Sequence, residues 1–390
     1  MAAETVLVVS ESVVNGTSMN GILMGEVKNV NTTSEPQFCG SGLEHFQTGY
    51  KEVHGYLSLF VCIFGSVANS LNIAVLTRRE MISPTNSILT GLAVADLLVM
   101  VEYVPYALHM YLLRRPRAQT YTYAWAVFVL FHSNFAQVCH TVSILLTVTL
   151  AVWRYLAVAH PQRGQIGMPC TLAVVGSAYV LGPLLCAPHY LAFEVAELSE
   201  GNATLHFVQM SRLSQAAGGL LSDVNFWVYG VVVKLTPCAA LTVLSLRIVA
   251  ALVETKRRRR QLTVSASSRQ QDKERQTDRT TRMLLAVLLL FLVTELPQGV
   301  LGLLSGLLGQ RFFAECYVPL GELMDALALL NSAVNFILYC SMSRQFRVTF
   351  CQLFRPRALD RWIPVQTTAH NGHTGAAATT TNNATQVTQL

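Results

Sequence analysis

Several charged side chains sit within long apolar stretches of the sequence, among them Asp96, Glu102, Lys234, Glu295, Glu322 and Asp325. A charge inside a membrane span costs about 2.5–3.5 kcal/mol, so each must either pair within the protein or face a functional cavity. Helical spacing groups them. Glu102, Tyr106 and His109 fall at i, i+4 and i+7. His132, Phe135, Cys139 and Ser143 share a second face, and Phe291, Glu295 and Gln298 a third. With Asp325, these residues describe an acid-lined cup that would attract a cationic group. A guanidinium pairs best with a carboxylate, and Glu295 and Glu102 lead, with Asp325 and Asp223 as competitors. A second reading stays open, in which Glu295 and Glu102 pair with His132, His140 or Lys234 instead. A further group, Asn69, Asp96, Ser143, Asn331, Ser332 and Asn335, could hold a small cation such as Na+ at Asp96, or hydrogen-bond through water. No Cys/His cluster has zinc-ligand spacing and no glycine loop has phosphate-binding spacing. No catalytic chemistry, other cofactor or nucleic-acid partner is therefore expected.

The elements that position these residues follow from composition. Of 390 residues, 52% are hydrophobic and only 13% charged, with a mean hydropathy of +0.40. Soluble globular chains carry about 25% charged residues, so a polytopic membrane protein is implied, and a disordered, collagenous or typical cytosolic chain is not. Seven apolar stretches, near 55–77, 87–113, 123–158, 170–195, 221–252, 281–308 and 317–341, are each long enough to cross a core of about 30 Å. Lipid cannot satisfy backbone polar groups and the alternation of a barrel is missing, so each stretch is expected to be helical. The fold class is an all-α seven-helix transmembrane bundle.

Basic residues orient the bundle. The segment 254–282 holds ten Lys/Arg against four acids, and Arg78, Arg79, Arg344 and Arg347 fall on the same side. That side is cytoplasmic, and the N-terminus is outside. Arg114, Arg115 and Arg117 oppose the pattern but are outnumbered. Outside lie three glycosylation acceptors, Asn15, Asn31 and Asn202; Asn383 fits the same triplet but is cytosolic. No cleavable signal peptide is evident, and the first span is expected to direct insertion. The organisation expected is an outer tail at 1–52, a bundle at 53–342, an amphipathic helix on the inner leaflet at 343–355 and a low-complexity tail at 356–390. Cys351 is a candidate palmitoylation site, and Lys256 through Arg260 could touch acidic lipid heads. The polar segment 261–280 reads as a flexible loop. An ion-coupled transporter is the rival reading, but no internal repeat supports it.

Several short motifs fall in consecutive spans: Gly65-Ser66-Val67-Ala68-Asn69, Leu92-Ala93-Val94-Ala95-Asp96, Trp153-Arg154-Tyr155, Pro237, Pro297 and Asn335-Phe336-Ile337-Leu338-Tyr339. In order and spacing over 55–355 the chain resembles rhodopsin-like G-protein-coupled receptors. It departs from them in four places. Trp153 replaces the acid before the Arg-Tyr pair, Glu295 replaces a tryptophan, and Phe336 replaces a proline. Val129 stands where a cysteine is usual, and 196–220 contains none, so the usual disulfide cannot form. The same departures, with Phe226-Trp227-Val228-Tyr229 and Thr294-Glu295-Leu296-Pro297-Gln298-Gly299, resemble the invertebrate myosuppressin receptors.

That resemblance implies a plasma-membrane receptor for a neuropeptide ending in Arg-Phe-amide, signalling to a heterotrimeric G protein of the Gi/o class and then to arrestin. It implies that Trp227 joins the ligand contacts, and that Trp153, Arg154, Tyr155, Asn335 and Tyr339 serve G-protein coupling and activation. A receptor for a different peptide would share much of this pattern. An amine receptor would carry an acid near Ala136, where there is none. In this topology Cys39 and Cys316 are the two cysteines outside the bundle, in an oxidising compartment, and a bridge between them is feasible. Two free thiols are the alternative.

Overall fold

The computed structural model describes residues 38–159, 167–200, 203–216, 220–262 and 268–354. Seven helices among them are long and apolar enough to cross a membrane. The first is α1 (Ser41–Leu76) and the second α2 (Pro84–Ala107). Ser83 caps α2 by accepting from the backbone N–H of Asn86 at 3.2 Å, with Pro84 at the first helical position, where its missing N–H costs nothing. Past Pro105 the span finishes in a wider turn, Leu108–Leu112. Then follow α3 (Tyr123–Ala159) and α4 (Met168–Leu185), the latter continued by a short helix to Ala192.

Span five starts at Leu220–Phe226 and passes through a nine-residue π-helical stretch, Trp227–Leu235, before α5 (Thr236–Leu262). Pro237 explains part of this loosening, because it has no N–H to donate back up the helix, while the Thr236 hydroxyl donates to the Val231 carbonyl at 3.0 Å. Next come α6 (Ser268–Leu308), α7 (Gly321–Met342) and the amphipathic α8 (Arg344–Phe354). Gly309, at φ +81°, turns the chain out of α6 in a conformation that a side chain would oppose.

The long third span lies at the centre. It packs against spans two, four, five and six, while α7 closes the ring between α6 and α1. Two apolar clusters among the described residues hold the bundle. One joins Cys62, Met100, Tyr103, Tyr106 and Ala136 to Val208 from the second outer loop; the other joins Ile144, Leu241, Ile248 and Phe291.

Three features differ from the sequence reading. Span one begins at Ser41, well into the expected outer tail, because a helix outside the hydrocarbon layer does not need apolar residues. Residues 268–280, read as a flexible loop, are helical and continuous with α6. The expected end of span four instead begins an antiparallel hairpin, β1 (Phe193–Glu200) with β2 (Ala203–Met210), paired from Phe193↔Met210 to Glu200↔Ala203. Val208 is fully buried, so the hairpin inserts into the bundle instead of lying over it. Asn15, Asn31, Asn202 and the tail beyond 354 fall outside the described residues.

Candidate functional site

A cavity of about 350 Å³ opens at the end of the bundle that carries the hairpin. Its walls are mainly aromatic: Phe193 from β1, Phe226, Trp227 and Tyr229 from span five, and Phe313 and Tyr317 from the entry to span seven. Gly306 lets span six approach span five here, since a Cβ at that position would overlap the Phe226 ring. Asp223, exposed at the start of span five, is the acid on the wall.

The floor is polar. Lys234, 2% exposed, sits at the end of the π-helical stretch and reaches across to span six. Its ammonium donates to Glu295 Oε2, to Gln298 Oε1 at 2.9 Å and to His140 Nε2 at 2.6 Å. Three N–H groups meet three acceptors from spans three and six, so the donor capacity of the lysine is fully used. Glu295 is completely buried and balances the charge. Its other oxygen, Oε1, has no hydrogen-bond partner among the described residues. Gln298 turns its amide nitrogen to the Tyr317 hydroxyl at 3.4 Å, and Tyr229 lies beneath the lysine, 5.5 Å from ring centre to Nζ.

The acid-lined cup read from the sequence thus separates into two groups. Trp227 and Gln298 line the cavity, and Glu295 lies against its floor through Lys234. Glu102 lies elsewhere, paired with His132 Nδ1 at 2.7 and 2.8 Å. Tyr106 stacks on that histidine at 4.0 Å, and Tyr103 meets it edge-on at 5.3 Å. His109 stacks on Trp125 at 3.5 Å with its Nε2 3.1 Å from the Thr120 carbonyl. Phe135 stacks on Phe131, and Asp325 is buried in α7. None of Glu102, Tyr106, His109, His132, Phe135 and Asp325 is among the residues that line the cavity. Of the acids, Glu102 lies against His132, and Glu295 lies against Lys234 and His140.

Deeper in the bundle, Asp96 accepts from Ser143 at 3.0 Å and from the Asn335 amide at 3.1 Å. Asn69 donates to the carbonyls of Gly65 and Ser332, both at 3.0 Å, and its own Oδ1 is buried without a hydrogen-bond partner among the described residues. Asn331 and Ser332 are buried alongside. Carboxylate, hydroxyl and amide oxygens suit a hard cation such as Na+ in kind, but both Asp96 oxygens already have protein donors. Toward the inner end, Trp153 and Arg154 are half-buried, Tyr155 packs on the second apolar cluster, and Tyr339 is buried with its ring 5.8 Å from Phe346.

At the outer end, Cys39 and Cys316 are joined, with Cα atoms 5.5 Å apart. The Phe38 backbone N–H donates to Glu315 at 2.9 Å, Arg311 donates to the same carboxylate at 2.8 Å, and the Phe38 ring meets Phe312 edge-on. The start of span one is thereby tied to the entry of span seven, beside the cavity wall at Phe313. Cys351 is exposed.

Sequence reasoning missed Phe226, Tyr229, Tyr317, Phe193 and Phe313 as cavity residues. Phe226 and Tyr229 were visible in the motif at 226–229. The other three depend on the hairpin and on the wide turn Phe313–Tyr317, which carry no apolar-length signal.

Comparison with known proteins places this architecture. The family described as "Serpentine type 7TM GPCR chemoreceptor Srw" matches residues 56–357. The G-protein coupled receptor dmsr-1 of Caenorhabditis elegans is 33% identical over 353 residues, covering 79% of this chain and 69% of that receptor. The sex peptide receptor of Drosophila melanogaster is 27% identical over 82% of this chain and 76% of its own length. The FMRFamide receptor of the same fly is 25% identical over 80% of this chain and 55% of its own.

Proposed function

The chain belongs to the seven-transmembrane G-protein-coupled receptor family, as a multi-pass plasma-membrane protein with neuropeptide receptors among its relatives, and from that premise we propose that its ligand is an amidated peptide of the Arg-Phe-amide or myosuppressin type. The observation that carries this is the cavity itself, with six aromatic walls, one wall acid and a floor whose lysine is already neutralised. An aromatic terminal residue would bury its ring between Phe226, Trp227 and Tyr317, and an adjacent arginine would meet Asp223. Glu295 serves instead as the counter-charge of Lys234, and Glu102 as the hydrogen-bond partner of His132, in the ligand-free state.

Occupancy moves the inner ends of spans five and six apart, and Arg154, Tyr155, Asn335 and Tyr339 repack around an inserted segment of a Gi/o heterotrimer. Arrestin follows. Lipids contact the Lys256–Arg260 run and a palmitoylated Cys351, the outer asparagines carry glycans, and no bond is made or broken in the ligand. Membranes from expressing cells should bind a radiolabelled Arg-Phe-amide peptide saturably, and pertussis toxin should abolish its signal. A surface-expressed chain that binds no such peptide would overturn the proposal.

A further inference from the structure

We infer that the cavity floor recognises the carboxamide at the end of the peptide through Gln298 and Tyr317, and rejects a free carboxylate because Glu295 has neutralised Lys234. This rests on the peptide reading above and adds the residues that discriminate between the two chain ends. The buried cation at the floor would ordinarily select for an anion. Here its three N–H groups are held by Glu295, Gln298 and His140, and its charge is matched by a carboxylate that is itself completely buried. An incoming carboxylate would lose its hydration and find neither a free donor on Lys234 nor net positive charge, with Asp223 repelling it from the wall.

A carboxamide meets a different surface. Because Gln298 gives its oxygen to Lys234, the opposite end of its side chain must present N–H groups, and one of these reaches Tyr317 only at 3.4 Å. That leaves a donor for the carboxamide oxygen. The Tyr317 hydroxyl can accept from the carboxamide NH2, so donor meets acceptor at both places without any charge being desolvated. Lys234 fixes which way the glutamine points and is a positioning residue.

The test compares one peptide in two forms, ending in Arg-Phe-amide or in Arg-Phe with a free carboxylate, by competition binding normalised to surface receptor. The unaltered receptor should prefer the amide by about tenfold or more, the worth of a hydrogen bond or two at a buried site. Glu295→Gln leaves the lysine charge unmatched, so the acid form should gain affinity while the amide form does not, and the preference should collapse. Tyr317→Phe leaves the ion pair intact and should weaken the amide form several-fold with little effect on the acid form. It guards against a folding failure in the first variant. Unchanged preference in either expressed variant overturns the inference. If neither form binds the unaltered receptor, the peptide proposal fails instead.

Discussion

At the scale of single residues, the energetics turn on Lys234 and Glu295, both 2% exposed or less and joined in one ion pair. Removing one member of a buried pair leaves an uncompensated charge, at a cost of about 3–5 kcal/mol, whereas replacing both with apolar groups is often neutral. Lys234→Met alone should therefore abolish most surface expression, and Lys234→Met with Glu295→Met should restore it. Flow cytometry of an N-terminal epitope checks this; a double variant as poor as the single one would show that the pair is not the reason. Asp223 stands at the opposite limit. It is exposed, so a guanidinium there gains roughly 0.2–1 kcal/mol. Asp223→Asn should cost an arginine-containing peptide less than about tenfold in affinity, and should cost its citrulline analogue nothing. Equal losses for both peptides would remove Asp223 as the arginine partner.

Among the elements, the outer ends of spans one and seven are held together by the Cys39–Cys316 bridge, the Glu315 contacts and the Phe38–Phe312 pair. Under non-reducing conditions neither cysteine should react with an alkylating reagent in surface receptor, and mapping by mass spectrometry after digestion should recover the two as a linked pair. Labelling at both positions would contradict the bridge. How far the elements were legible depends on what encodes them. The spans were readable because crossing a membrane requires about 20 apolar residues, a constraint local to each segment. The hairpin was less so, although Gly201-Asn202 between two runs containing Val195, Leu205 and Val208 is a recognisable turn signal. The π-helical stretch at Trp227–Leu235 left no such trace. Asp223, Trp227, Gly230 and Lys234 nonetheless fall at i, i+4, i+7 and i+11 and all line the cavity.

For the molecule as a whole, the sequence exposed the charges that needed partners but not the partners themselves. Glu102 with His132, and Lys234 with Glu295 and His140, join residues on different spans, and their pairing depends on the relative rotation and depth of helices that a single sequence does not specify. The result is a bundle whose outer end holds an aromatic cavity on a neutral polar floor, and whose middle holds the Lys234–Glu295 ion pair between spans five and six, with His140 of span three against it. Spans five and six both contribute to the floor, so an occupant of the cavity touches the two helices proposed to move apart on activation. The most direct test of the central claim is a G-protein dissociation assay in cells expressing the full chain, challenged with a panel of amidated peptides. Concentration-dependent Gi/o dissociation is expected from at least one peptide ending in Arg-Phe-amide, with none in untransfected cells; silence toward every amidated peptide, from receptor verified at the cell surface, would rule out an amidated-peptide receptor.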